Sequence, residues 1–254
     1  MPFPLAHPAA VLPFRRLKQL DFLALVIGAI APDLGYCFER YHLNIFAHTV
    51  RGCFEFSLPV GWLAVLIFQI VREPLVGLLP APHRQVLSQG LRKPDLAWFA
   101  VPLSVVIGAA THVFWDGFTH ETGWFVERSS FLQMKLLTID GHHFNMYRLL
   151  WHISTWAGLF LLCRVYVHAV KRSTGSSQLF VPEERRRYAF WAAIMSLPLL
   201  GVIPFLIWRI AGKGPSLVEA LRSLRISVGI YLLAVSVLLI AIGAGSKIRG
   251  RQGE

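Results

Sequence analysis

One uncharged run of 20 residues, Leu96 to Trp115, constrains this chain more than any other feature. As a helix, a run of this length crosses the hydrocarbon core of a bilayer. Hydrophobic residues make up 55% of the chain, and charged residues only 15%. Soluble domains carry about 25% charged residues, so the composition predicts an integral membrane protein.

Four further apolar segments resemble spans or parts of spans: Leu58 to Val71, Leu149 to Val170, Ala189 to Ala211 and Ile226 to Gly245. The segment Phe22 to Pro32 is too short to cross a core of about 30 Å at about 1.5 Å per residue. We interpret it as a buried or re-entrant helix that delivers Asp33 into the protein. The expected fold is all-α, a polytopic membrane helical bundle of about five spans plus this helix, forming one domain over residues 1–254.

The formal net charge of +11 does not require a nucleic-acid partner. Lys and Arg in loops beside spans meet anionic lipid, and no nucleic-acid recognition motif accompanies them. Membrane lipids are therefore the expected partners, and the oligomeric state is left open. Basic residues are concentrated in the loops after 58–71 and 149–170 and in the C-terminal tail, which predicts that these parts are cytoplasmic and that loop 116–148 is not.

Ionisable side chains cluster at the end of the central run, in His112-Val-Phe-Trp-Asp116 and Gly117-Phe-Thr-His120-Glu121. Ionisable groups at membrane depth are functional candidates by default. His112 and Asp116 are four residues apart and share one helical face, where imidazole and carboxylate form a ligand pair that suits zinc. Since nine of the ten histidines lie in residues 1–152, this half is the predicted metal-site half and residues 153–254 are predicted scaffold spans.

Three earlier residues of ligand type stand in the blocks Ala-His7-Pro, Ala-Pro-Asp33 and Ala-His48-Thr. Each has an ordinary alternative role. His7 is typical of a surface or packing residue, and Asp33 of a turn former or helix cap. His48, with Arg51 one turn later, is typical of the membrane interface. The residues taken singly leave these alternatives open.

Taken in order, the motifs His-Pro, Ala-Pro-Asp, His-Thr-x-x-Gly and His-x-x-x-Asp-x-x-Thr-His resemble a bacterial membrane-protein family of unknown function, over nearly the whole chain. More distantly they resemble bacterial inner-membrane metal-dependent hydrolases, which are similar to the all-helical zinc-dependent phospholipase C and single-strand nuclease fold. The resemblance implies as metal ligands His7, Asp33, His48, His112 and Asp116, with His120 as a further ligand or outer group. Those relatives carry an extra His-Arg pair near His48, so the metal count is left open.

Three imidazoles and two carboxylates suit zinc, with manganese as the alternative. A metal in such a site lowers the pKa of its bound water to about 7. Arg51 or Arg148 could clamp an anionic phosphoryl group, and Glu121 or Asp140 could act as the general base.

The leading hypothesis is a membrane-embedded metal-dependent hydrolase in the bacterial inner membrane, acting on a phosphoester in a lipid or lipid-linked substrate. One alternative is a metal-ion or proton transporter that uses the same His and Asp cluster. Another is a membrane protein that binds metal or haem without catalysis.

Overall fold

The computed structural model describes residues 3–38, 41–81, 83–90, 99–139, 142–173, 184–194 and 196. The elements in chain order are the 3₁₀ helix Pro4–Arg16, α1 (Phe22–Ile30), the 3₁₀ helix Ala31–Phe38, α2 (Tyr41–Ala47), α3 (Val50–Gly52), the π helix Cys53–Ser57, α4 (Leu58–Leu78), α5 (His83–Gly90), α6 (Ala100–Thr119), α7 (Trp124–Arg128), α8 (Ser130–Gln133), β1 (Lys135–Ile139), β2 (His142–Asn145) and α9 (Met146–Ser173). Residues 184–194 are also helical. The described part of the chain is mostly helical, as the composition predicted.

Three helical stretches are long and apolar enough to cross a membrane: Val50–Glu73, Ala100–Thr119 and Met146–Ser173. They correspond to three of the predicted spans. The other two, 189–211 and 226–245, lie mostly or wholly outside the described residues, so the count of about five spans stays a prediction.

Two regions are more ordered than the sequence suggested. A β-hairpin, which the all-α expectation missed, follows α8, and its antiparallel register sets Thr138 opposite His143. The basic, proline-rich stretch 72–95 after the first predicted span has the composition of a solvent-exposed loop. Instead α4 continues to Leu78, Pro80 and Ala81 are buried, and α5 follows.

Close packing of α1 against α6 forms the centre of the described fold. A Cβ atom on Gly28 would overlap the carbonyl of Val105, and one on Gly108 would overlap the carbonyl of Leu25. Small residues let two backbones approach closely, which is how helices associate in a membrane without a hydrophobic driving force between them. At the start of α1, the Asp21 amide donates to Ser104 Oγ on α6 at 2.9 Å. This hydrogen bond joins the N-terminal end of α1 to the side of α6.

The N-terminal 3₁₀ helix packs onto this pair. Val11 is fully buried and contacts Leu25 and Ala29 of α1. The Phe3 amide donates to Thr155 Oγ1 of α9 at 3.1 Å. Held between these helices, the 3₁₀ helix carries His7 into the interior, where it is buried.

By its internal contacts the chain divides into two compact units, Met1–Phe68 with Leu91–Ala169, and Gln69–Gly90 with Val170–Glu254. In the second unit the buried Glu184 carboxylate accepts hydrogen bonds from the Ala81 amide at 2.7 Å and from Arg84 Nη2 at 2.9 Å. These bonds tie the stretch after α4 to the helical residues 184–194. Whether residues 1–254 behave as one membrane domain, with a site half and a scaffold half, stays a prediction.

Candidate metal centre

The first unit brings all six predicted ligands together from four parts of the chain. His7 comes from the N-terminal 3₁₀ helix and Asp33 from the 3₁₀ helix that follows α1. His48 directly follows α2, and α6 supplies the remaining residues, His112 and Asp116, with His120 as its C-cap. Helix α6 extends past the predicted end at Trp115, so His112 and Asp116 lie on consecutive turns of one helix.

His112 lies at the middle of this cluster and is fully buried. Its Nε2 atom lies 3.2 Å from Asp116 Oδ2, 3.3 Å from His48 Nε2 and 3.7 Å from Asp33 Oδ1. Its ring stacks on that of His7, with the ring centroids 3.6 Å apart. Every other ligand candidate is arranged around this imidazole or around Asp116.

The Asp116 carboxylate presents its two oxygens to different partners. Oδ2 faces His112 and lies 3.6 Å from His48 Nε2. Oδ1 lies 3.6 Å from His7 Nε2 and 3.6 Å from His120 Nδ1. Two groups of three have ligand atoms all within 4.8 Å of one another: His7, His112 and Asp116, and Asp33, His48 and His112.

The separations favour metal coordination over ion pairs. Charge-assisted N–H···O bonds are about 2.7–2.9 Å long, whereas the contacts of His48 with Asp33 and Asp116 measure 3.4 and 3.6 Å. Ligands held at about 2.0–2.1 Å in a tetrahedral zinc site lie about 3.3–3.4 Å apart. The observed values scatter around that edge length, so the residues fit a divalent metal.

Backbone carbonyls orient two of the imidazoles. His112 Nδ1 donates to the Ala29 carbonyl at 2.8 Å, and His48 Nδ1 donates to the Asn44 carbonyl at 2.9 Å. Since a carbonyl only accepts, Nδ1 carries the proton in both rings, and the neutral ring has its lone pair on Nε2. Both lone pairs therefore point into the cluster, as metal ligation requires.

A proline lies three residues after Ala29, whose carbonyl accepts from His112. In a 3₁₀ turn a carbonyl accepts from the amide of residue i+3, which for Ala29 is Pro32. Proline has no N–H, so this bond cannot form. The motifs predicted the six side chains that the structure brings together, but not the two orienting carbonyls, for which Pro32 is a partial signal.

Several buried atoms of the cluster accept or donate no hydrogen bond within the described residues: His7 Nε2, both carboxylate oxygens of Asp33 and of Asp116, and His120 Nε2. A buried unsatisfied polar atom costs about 1–3 kcal/mol, and a buried charge costs more. Burial lowers the pKa of His7 to about 3 and also lowers the pKa of His120, so both rings are neutral at pH 7. The carboxyl groups of Asp33 and Asp116 are buried beside these two neutral rings, and a divalent cation would supply the bonds that their oxygens lack among the described residues.

Of the four residues predicted to assist catalysis, the three that the structure describes lie outside this cluster. Arg51 is 75% exposed at its side chain, and its Nε donates to Glu55 Oε1 at 2.6 Å. Glu121 is exposed in the turn after α6. Arg148 is exposed and donates to the Tyr147 hydroxyl at 3.3 Å, while Asp140 lies outside the described residues. The roles assigned to these residues stay predictions.

Other histidines have their own surroundings. His143 is exposed on β2, where its ring lies 3.1 Å from Thr138 Oγ1 and 3.1 Å from Lys135 Nζ. His152 is exposed on α9 and packs against Phe144 and Trp151. Both serve as controls for experiments on the buried cluster.

A family model described as a domain of unknown function, DUF4184, matches residues 1–242. The chain belongs to this family. The match spans every ligand candidate and agrees with the resemblance to an uncharacterised membrane family seen in the motifs. No curated protein and no solved structure matches the chain, so the more distant likeness to hydrolases rests on the motifs alone.

Proposed function

We propose that this protein is a membrane-embedded metal-dependent hydrolase that cleaves a phosphoester in a lipid or lipid-linked substrate. One observation carries the proposal. Buried nitrogen and oxygen atoms of His7, Asp33, Asp116 and His120, which have no hydrogen-bond partner among the described residues, converge on the oriented imidazoles of His48 and His112 at separations typical of metal ligands. The contacts of His48 with Asp33 and Asp116, at 3.4 and 3.6 Å, are longer than the hydrogen bonds of a structural ion pair.

The donor set favours zinc, with manganese as the alternative, because imidazole nitrogens outnumber carboxylates. When bound, zinc supplies a Lewis acid and a water whose pKa is near 7. His48, Asp116 and His120 line a cavity beside the cluster, so a substrate in that cavity meets these three side chains first. His120 Nδ1 lies 3.1 Å from the Asp116 carbonyl, which assigns the proton to Nδ1 and leaves the lone pair on Nε2. That lone pair would serve either as a further metal ligand or, if His120 is an outer group, as a proton acceptor.

Zinc-loaded protein in mild detergent should hydrolyse a phosphodiester, and a chelator should reduce the rate to background. Release of nitrophenol from a soluble chromogenic phosphodiester and release of headgroup from a labelled phospholipid both measure this. Readdition of zinc should restore the rate, and His152→Ala should be as active as the wild type because that side chain lies outside the cluster. A metal-loaded protein that cleaves neither substrate, while vesicles containing it show metal or proton flux abolished by Asp116→Ala, would establish the transporter instead.

We further propose that the protein lies in the bacterial inner membrane with its C-terminus in the cytoplasm and loop 116–148 on the opposite side. The excess of Lys and Arg after the spans 58–71 and 149–170 and in the tail supports this orientation. Reporter fusions after Glu254 and after Thr138 should give opposite signals, cytoplasmic for the first only. A cytoplasmic signal from the Thr138 fusion would reverse the orientation and place the metal centre near the inner face.

A further inference from the structure

A largely apolar cavity of about 930 Å³ adjoins the metal centre. Two of the candidate membrane spans supply part of its lining, and the rest comes from α2 and from the segment after α6. Val50, Cys53 and Phe54 belong to the span Val50–Glu73, and Val106, Ala110 and Val113 belong to α6. A cavity between spans is in contact with lipid when the protein is in a membrane, so its contents can come from the bilayer itself.

The α6 wall forms one continuous stripe. Val106, Ala110 and Val113 follow the i, i+4, i+7 spacing of a single helical face, which Gly117 and His120 continue. From Val106 to Asp116 the helix rises about 15 Å. One leaflet of the hydrocarbon core is also about 15 Å thick. The helix from the start of the stripe to the candidate ligand Asp116 therefore matches the thickness of one leaflet. The apolar part, Val106 to Val113, rises about 10 Å of that length.

The rim of the cavity suits the bilayer. Phe54 is 55% exposed and Phe114 is 58% exposed, and both side chains border the cavity. Trp124 lines it at the end near His120, where aromatic residues favour the membrane interface. An apolar wall at hydrocarbon depth and a tryptophan at the level of the ligands together place the cluster at headgroup depth.

We propose that this cavity is a lipid-binding groove that takes a phospholipid sideways from one leaflet, with an acyl chain along the Val106-Ala110-Val113 stripe and the phosphate at the metal centre. The proposal rests on the proposed function, since it names the substrate class of the same site. The two carboxylates would repel a phosphate when no metal is bound. Binding of the lipid headgroup therefore depends on the metal, whereas binding of the acyl chain depends on the apolar groove.

The test uses full-length, zinc-loaded protein in vesicles of phosphatidylethanolamine and phosphatidylglycerol that include a phosphatidylglycerol with a photoreactive group on its acyl chain. After illumination, mass spectrometry locates the adducts. We expect adducts on Val106, Ala110 and Val113 to exceed those on Trp156 and Phe160, which are exposed on α9 and report lipid that merely surrounds the protein. Equal labelling of the α6 stripe and of the exposed α9 residues would overturn the proposal of a lipid-binding groove.

A substitution that fills the groove gives the second arm. Ala110→Trp places an indole on the stripe at a position that is not a candidate ligand, and Ala157→Trp adds the same volume at an exposed position of α9. We expect Ala110→Trp to bring labelling of Val106 and Val113 down to the α9 level while its zinc content stays that of the wild type. Ala157→Trp should leave both unchanged. Unchanged labelling in Ala110→Trp, or a stoichiometric co-purified protein in the groove, would overturn the proposal.

Hydrolysis separates failure of the groove from failure of the enzyme. Ala110→Trp should lose cleavage of the phospholipid, whereas Ala157→Trp should keep it. Enriched labelling without any hydrolysis would support the groove and reject the hydrolase. Hydrolysis without enriched labelling would support the hydrolase and reject the groove. If Ala110→Trp does not insert into the membrane, the comparison between α6 and α9 labelling in the wild-type protein decides by itself.

Discussion

Purified wild-type protein should contain at least one divalent transition metal per chain, and His112→Ala and Asp116→Ala should each reduce it to background. His112 belongs to both groups of potential ligands, and Asp116 faces four imidazoles through its two oxygens. Losing an outer partner of a ligand already weakens metal binding by about 10–100-fold, so losing either of these should cost more. Elemental analysis of detergent-purified protein measures the result.

Controls for the metal experiment come from histidines outside the cluster. His143→Ala and His152→Ala remove exposed imidazoles and should leave the metal content unchanged. The two ligand variants should still insert into the membrane, which fractionation shows. If both retain wild-type zinc or manganese, the ligand assignment is wrong.

The second large effect is expected where α1 and α6 touch. Gly108→Ala should destabilise the protein by about 3 kcal/mol or more, at the upper end for overpacked cores, because the new methyl group meets the Leu25 carbonyl and the Ala29 amide nitrogen. Backbone atoms cannot rotate aside as a flexible side chain can. Gly108 lies one turn before His112, so separating the helices should also withdraw the Ala29 carbonyl from His112 and lower the metal content.

Gly77→Ala is the matched control for that substitution. A Cβ built at Gly77 has no atom of the described residues within 4 Å, so the change should stabilise α4 by up to about 1 kcal/mol through helix propensity. Thermal unfolding in detergent, followed by circular dichroism, compares the two variants. Equal melting temperatures for Gly108→Ala and the wild type would contradict the close packing of α1 and α6.

The elements that the sequence predicted well are those with a strong local pattern. The apolar run ending in His112-Val-Phe-Trp-Asp116 predicted α6, and the structure extends that helix by one turn. The segment Phe22 to Pro32 predicted a short buried helix, and α1 buries Ala24, Leu25, Gly28 and Ala29. Hydrophobic periodicity decides such elements locally, without knowledge of distant partners.

Features that depend on tertiary contacts were missed. The hairpin had a signal, since Asp140-Gly141 between Lys135-Leu-Leu-Thr-Ile and His142-His-Phe-Asn is a common turn dipeptide, but the polar composition of the region outweighed it. Burial of Ala81 depends on Glu184, which lies 103 residues later in the chain. Composition predicts exposure for such a stretch, because no local pattern reports a partner so far away.

The carbonyls of Ala29 and Asn44 have a consequence for protein design. Two of the six candidate ligands are held in place by the main chain, at the end of one helix and within another, and no side chain encodes that support. Grafting the six side chains onto a different helical bundle would transfer the ligand atoms, but it would not fix the tautomers or the orientations of the imidazole rings. A functional transplant would have to carry the Ala-Pro-Asp helix end and the α2 turn as backbone fragments. It would also need the glycine contacts that let α1 approach α6 closely.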